Sequence, residues 1–377
     1  MTRDLIVFGE DWGAHPTSTQ HLVSRLARDR LVLWVNSVGM RRPRFSVRDA
    51  RRIAQKVKSM ARPLRGPTPN LMTPKNLTVI EPRVLPLPNN AIAAVFNRAV
   101  GARKIAAAAD AAGLTDPAIW VSVPTAVDLL PALPKAPIVY YCGDDFGGLA
   151  GVDHEPVLSC ERRLGVSAKK IFTVSDALSL KFRADKVVEL PHGVDYDLFS
   201  TPETRATDLP QRGPVAGFYG SISAWLDQRL IAEVATQLDD WAFVFIGRVE
   251  CDVDTLRQCP NVRFLGPRAH SQLPGYVQHW NASLLPFLDN RQIRACNPLK
   301  LREYLAAGTP VVSTPFPAVK AYASFVEQAP DAARFVSALR RTLENTDQEA
   351  RAARMASVAN ESWERRAKDA AKVVDAL

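Results

Sequence analysis

Two patterns of hydrophobic and polar positions alternate along this chain: short unbroken apolar runs, and longer stretches with apolar residues three and four apart. The first run, Asp4-Leu-Ile-Val-Phe8, reads as a buried strand. A loop from Gly9 to Pro16 follows, Thr17-Ser18-Thr19 opens a helix, and Leu31-Val-Leu-Trp-Val35 is a second strand. This order begins a doubly wound parallel sheet. Apolar runs at 77–80, 119–122, 138–142, 170–174 and 187–190 extend it, with an Ala-rich helix over 90–112. A second series starts at Val215-Ala-Gly-Phe-Tyr219 and continues at 241–246, 262–265, 282–287 and 311–312, with a helix around Trp225. Between the series, 201–214 is polar, Pro-bearing and unpatterned, and reads as a linker. The pattern predicts an α/β chain of two Rossmann-like domains, 1–200 and 215–355, closed by a C-terminal helix over 356–377. Two domains also suit a length of 377 residues.

The most information-rich stretch is Asn297-Pro-Leu-Lys-Leu-Arg-Glu-Tyr-Leu-Ala-Ala-Gly-Thr-Pro-Val-Val-Ser-Thr314. It predicts one helix feeding one buried strand. Asn297 suits the N-cap, Pro298 the first helical position, Leu299 the apolar face, and Gly308 the left-handed residue that ends the helix. Lys300 stands in the first turn, beside a positive helix end suited to phosphate. Glu303, three residues on, shares its face and can accept two hydrogen bonds from a ribose diol. Spacing alone leaves two readings open: a nucleotide site, or an exposed i, i+3 ion pair worth about 0.3 kcal/mol.

Composition narrows the class. Hydrophobic residues make up 47% and charged residues 23%, the balance of a soluble globular protein, and no apolar run has the length of a membrane span. The N-terminus lacks a signal peptide's layout, and the five cysteines form no CxxC pair. A reduced cytoplasmic setting and no metal site are the expectations. Charge is concentrated: residues 41–65 hold ten Lys and Arg against Asp49 alone, which accounts for the whole net charge of +9. The remainder is neutral, which argues against a nucleic-acid partner. Within this segment 46–62 has helical periodicity, with small apolar residues on one arc and six cations on the other. It reads either as a helix with a solvated outer face or as an electrostatic contact to an anionic membrane surface, peripheral on the inner leaflet.

The segment Arg294-Ala-Cys-Asn-Pro-Leu-Lys-Leu-Arg-Glu-Tyr-Leu-Ala-Ala-Gly-Thr-Pro-Val-Val-Ser-Thr314 resembles the donor-binding segment of GT-B glycosyltransferases, closest to the family 4-like group of teichuronic acid and exopolysaccharide synthesis. The resemblance implies two Rossmann-like domains with parallel sheets facing across a cleft, acceptor in the first and donor in the second. It implies hexosyl transfer from a nucleoside diphosphate sugar to a saccharide or polyprenol-linked acceptor, with retention of configuration and no cofactor. Glu303 would hold the donor ribose, and Lys300 and Arg294 would face the diphosphate. One departure stands out: many members carry a second Glu eight residues earlier, where this chain has Ala295. Sugar-nucleotide 2-epimerases and inactive binding subunits share the fold and remain alternatives.

Other candidates lie at predicted strand ends. Gly220 and Ser221 turn after the first strand of the second series, Arg248 follows Gly247, and Arg268 follows a run resembling the family's base-binding segment. In the first series Asp11 and His15 lie in the first loop, and Asp144 follows the strand 138–142. His192 occupies a Pro-His-Gly-Val-Asp turn that resembles the close of the family's N-terminal domain. Asp252-Val-Asp254 matches a DxD metal motif formally, but its place at a helix start favours capping.

Overall fold

The computed structural model describes residues 2–13, 17–37, 73–82, 84, 85, 87, 89–149, 152–344 and 347–377. The basic segment 41–65 and His15 lie outside the described residues.

The chain divides into two compact units: residues 1–191 with 366–377, and residues 192–365. The first is built on seven strands, β1 (Leu5–Phe8), β2 (Val32–Val35), β3 (Leu77–Ile80), β4 (Ala118–Val121), β5 (Ile138–Cys142), β6 (Lys170–Thr173) and β7 (Val187–Glu189). All pair in parallel, in the order 3-2-1-4-5-6-7. β1, β2 and β4 are buried along their whole length, as expected of central strands covered on both faces. Thr17 caps the helix Ser18–Leu26 by accepting the Gln20 N–H at 3.4 Å, and Ser24 and Arg25 return bonds to the His21 carbonyl. The Ala-rich helix starts where its cap places it, with Asn90 accepting the Ala93 N–H, but it is not uniform. Helical turns over Ala91–Phe96 and Arg103–Ala111 flank a wide π turn at Asn97–Ala102. Asn97 explains the widening: buried, it donates to the Leu85 carbonyl and accepts the Leu85 N–H, holding a neighbouring loop against the helix.

The second unit holds six parallel strands, β8 (Val215–Tyr219), β9 (Ala242–Ile246), β10 (Val262–Gly266), β11 (Ala282–Leu285), β12 (Val311–Ser313) and β13 (Val326–Gln328). Their order is 10-9-8-11-12-13. Numbered from the first strand of the unit this is 3-2-1-4-5-6, the doubly wound order whose switch point lies between β8 and β11. β8 and β9 are buried throughout, beneath a core that includes Phe218, Phe243, Phe245, Trp280 and Leu301.

Three expectations change. The helix placed around Trp225 begins at Gln228, because Asp227 supplies the cap that accepts the Leu230 N–H at 2.9 Å. The segment 201–214 packs within the second unit: Leu209 is buried in its core, and Arg205 donates to the carbonyls of Leu209 and Pro210. The last helix starts later than expected, at Trp363, because residues 356–358 finish the preceding helix Gln348–Val358; from residue 366 the chain belongs to the first unit.

Candidate functional site

The site is built at the carboxyl ends of β8, β9 and β10 and on the helix Leu299–Ala306. This helix exists because Leu301, Tyr304 and Leu305 turn one fully buried face to the core. Gly308 ends it at φ 75°, with the Gly308 and Thr309 N–H groups returning to the Leu305 and Tyr304 carbonyls. Its beginning differs from the sequence expectation. Pro298 takes the cap position, extended at ψ 127°, and no side chain caps the helix. Asn297 is drawn away because its Oδ1 accepts from Arg302 Nη1 at 2.6 Å.

Lys300 and Glu303 do not pair with each other. The Lys300 ammonium stands 5.1 Å from the ring centres of Phe218 and Trp225 and 5.6 Å from that of Phe287. Half-buried in this aromatic cage, it loses hydration, and the desolvation pulls its pKa down to about 8 against the opposing influence of Cys296 and Glu303. Gly220, at φ 124°, gives it room: a Cβ there would lie 3.0 Å from Lys300 Cε and 3.2 Å from Nζ. Gly247 is equally constrained, since a Cβ on it would run into the Gly220 carbonyl.

Glu303 is buried, and both its oxygens are engaged. Oε2 accepts from the Tyr219 hydroxyl at 2.5 Å, and Oε1 lies 2.8 Å from His270 Nε2. Tyr219, on the last position of β8, is held by its own N–H donating to the Tyr304 hydroxyl. Burial and the Glu303 charge drive the Tyr219 pKa well above the ordinary phenol value, so the hydroxyl remains a donor. Burial disfavours the charged form of His270, but the hydrogen bond and charge of Glu303, with Asp195 adding, outweigh it and raise its pKa. The result is a carboxylate with fixed orientation, each of whose oxygens can by its chemistry accept more than one bond. The exposed ion-pair reading of Lys300 and Glu303 is thereby excluded. His270 and Tyr219 were missed in the sequence because nothing in their spacing ties them to a residue more than 30 positions away.

The remaining candidates separate. Ser221 is exposed beside Gly220, and Pro298 and Leu299 are half-buried at the head of the helix. Arg268 is fixed near the same sheet end by Tyr276 at 2.8 Å and Asp208 at 2.6 Å. Arg248 is exposed after Gly247. Arg294, expected at a diphosphate, forms a two-pronged pair with Asp289 at 2.6 and 2.8 Å on an exposed surface, so its charge is already matched. His192, expected to face a substrate, is buried with its ring 6.3 Å from that of Trp363. Asp252 accepts the Asp254 N–H at 2.9 Å from one position before the cap of the short helix Asp254–Arg257, whose cap residue is Val253.

In the first unit Asp11 ties down its own loop, accepting the Ser37 N–H. The pair after β5 divides. Asp145 is buried and bonded to Lys181, which also bridges to Glu161, itself bonded to the Tyr140 hydroxyl. Asp144 keeps solvent contact, yet the density of protein around it, with the charges of Glu10 and Asp145, pushes its carboxyl up to about 7.

Comparison with known proteins gives this geometry a context. Residues 213–345 match the family Glycosyl transferases group 1. TuaH of Bacillus subtilis (strain 168), assigned as a teichuronic acid biosynthesis glycosyltransferase, is 31% identical over 201 residues, 48% of this chain. The chain spans about half (51%) of the length of that relative. Anabaena HepE, solved with UDP-glucose, superposes with a TM-score of 0.69 at 14% identity, covering 99% of this chain and 100% of that one. Sucrose-phosphate synthase from Thermosynechococcus elongatus gives 0.71 at 14% identity, covering 99% and 98%. Both likenesses speak to the fold. Residues 213–345 therefore form a glycosyl transferases group 1 domain, within a chain that has the GT-B fold of two parallel α/β sheets.

Proposed function

We propose that the protein transfers a hexosyl group from a nucleoside diphosphate sugar to a saccharide or lipid-linked saccharide acceptor, with retention of configuration, in the assembly of a cell-surface polysaccharide. The observation that carries this reading is the paired arrangement at the end of β8: an ammonium caged by aromatic rings, and one helical turn away a buried carboxylate oriented by two donors. A partly desolvated cation without a carboxylate partner among the described residues gains most from an anion that brings its own charge. A diphosphate is such an anion, and its charge grows as the glycosidic bond breaks. Lys300 then stabilises the transition state more than the ground state, which is the condition for catalysis. Glu303 accepts from the ribose hydroxyls, as a carboxylate oxygen can accept more than one bond. Ser221 and the backbone at Gly220 border the diphosphate, and the loop after β10, with Arg268, borders the base.

The crystal forms of HepE with UDP and with UDP and glucose support a uridine nucleotide as the first donor to try. Incubation of the full-length protein with UDP-, GDP- and ADP-sugars, with and without saccharide acceptors, tests the reading. Transfer of sugar to the acceptor with release of nucleoside diphosphate is expected. Release without any acceptor points to an epimerase, and binding without release to a donor-binding subunit; either result overturns the proposal.

A further inference from the structure

Beside β13, an edge strand of the second sheet, lies a cavity of about 530 Å³. Ser324, Glu327 and Gln328 line it from β13 and the residues before it. The helices Ala332–Glu344 and Gln348–Val358 supply Arg341, Ala353 and Arg354. None of its lining residues belongs to the site at the carboxyl ends of β8, β9 and β10.

Arg354 sets the chemistry of this cavity. It lines the space although it is only 8% exposed. Its Nε donates to the Gly308 carbonyl at 2.9 Å, but among the described residues its two terminal nitrogens make no hydrogen bond and no carboxylate pairs with it. One helical turn earlier stands Arg351, half-buried and likewise without a carboxylate partner among the described residues. Burial lowers the Arg354 pKa from the ordinary guanidinium value, and the Arg351 charge lowers it further. Arg341 and Glu327, both exposed, pair with each other at 2.8 Å, so their charges cancel. The cavity is left with a buried, unmatched cation and a second cation behind it. Such an arrangement is costly until an anion supplies the missing charge.

We propose that this cavity binds a phosphate group, free or carried by a small monoester, with the terminal nitrogens of Arg354 as its principal ligand. The planar fork of a guanidinium matches phosphate oxygens two at a time. Two neighbouring cations suit a dianion better than a single carboxylate. The volume exceeds that of the bare ion and lies within the range of small-molecule sites. Ser324 and Gln328, both exposed at the cavity, offer a hydroxyl and an amide to the rest of such a molecule. The bond to Gly308 requires only Nε, so a purely structural Arg354 leaves its terminal nitrogens unexplained. The proposal does not rest on the glycosyl-transfer reading.

Calorimetric titration of the full-length protein with ribose 5-phosphate, inorganic phosphate and ribose tests it, in about 0.1 M chloride to screen non-specific surface attraction. Saturable binding of at least one phosphate is expected, with no binding of ribose. Tighter binding of ribose 5-phosphate assigns the site to an organic monoester; equal or tighter binding of inorganic phosphate assigns it to the free ion. Arg354→Met should weaken binding by at least about tenfold, because the charge-assisted bonds are lost. That change also removes the bond to Gly308, so a second variant is needed. Ala353→Phe fills the cavity from an exposed position and leaves the Arg354 bond in place. It should weaken binding by a similar factor at an unchanged melting temperature. Lys300→Met should keep the parent's phosphate affinity, whereas binding at the other site would be lost in that variant. The proposal is overturned if the parent binds neither phosphate, if Lys300→Met abolishes the binding, or if Arg354→Met or Ala353→Phe binds as the parent does.

Discussion

At the scale of single residues, Lys300 is the position where structure and chemistry constrain each other most. Lys300→Met keeps the volume and packs a thioether among three rings, so the melting temperature of the unit should hold or rise. Sugar transfer should fall by on the order of 10²–10³-fold, because the charge facing the leaving group is gone. Equal activity in the variant would reduce Lys300 to a packing residue. With a pKa near 8 in the free protein, the parent's kcat/KM should also decline as pH rises through that value and the ammonium deprotonates. Glu303 makes a different prediction. Glu303→Gln keeps the shape and one acceptor oxygen but forfeits the charge, and should cost on the order of 10²-fold in kcat/KM. His270 has its folded pKa raised above its ordinary value of 6.5, so its pairing with Glu303 contributes stability that is fully present below about 6.5 and is lost as pH climbs through the raised value. Thermal melts of the parent across this window should therefore show a decline that His270→Asn abolishes. A parallel decline in the variant would mean that another group titrates there.

The helix Leu299–Ala306 shows what was legible in the sequence and what was not. Its existence, its Gly308 stop and the strand that follows were readable because they rest on local rules: apolar spacing, a left-handed residue, a β-branched run. Its head was misread because Asn297 has a competitor for its side chain, Arg302, and one Asn can serve only one such geometry. The partners of Glu303 were not legible at all. Tyr219 and His270 come from strand ends 84 and 33 positions away, and only the sheet order brings them together. Similarly, Arg294 read as free charge until Asp289, five positions before it, was seen to hold it. Two glycines turn this into a test. Gly220→Ala places a Cβ against Lys300 at a backbone angle that L-residues avoid, so donor turnover should fall more than stability. Gly308→Ala meets Arg351 Cγ at 2.5 Å and strains the helix stop, so stability should fall first. Activity and melting temperature measured on both variants check this ordering, and the reverse order would break the assignment of Gly220 to the site.

At the scale of the whole molecule, the two units have separate cores but unequal claims on the chain, because the C-terminal residues 366–377 return to the first. One contact ties that return down. Arg30, only 4% exposed, donates to both oxygens of Asp375 at 2.8 and 3.2 Å, and the Arg3 N–H joins at 3.0 Å. Removing the carboxylate leaves a buried guanidinium with Asp29 and one carbonyl for compensation, a loss on the order of 3 kcal/mol. For a unit of this size that lowers a melting temperature by roughly 5–10 °C. On the proposed reading the donor binds the other unit, and at a hundredfold excess over its Kd it would add about 2.7 kcal/mol there. Calorimetry should thus resolve two transitions that move independently: Asp375→Ala lowers one and leaves the other in place, while UDP or its sugar raises only the second. A single transition displaced by both changes would show that the units unfold as one body. The C-terminal helix would then be a strut for the donor site as well as for the first sheet, and its truncation should abolish donor binding rather than merely destabilise the fold.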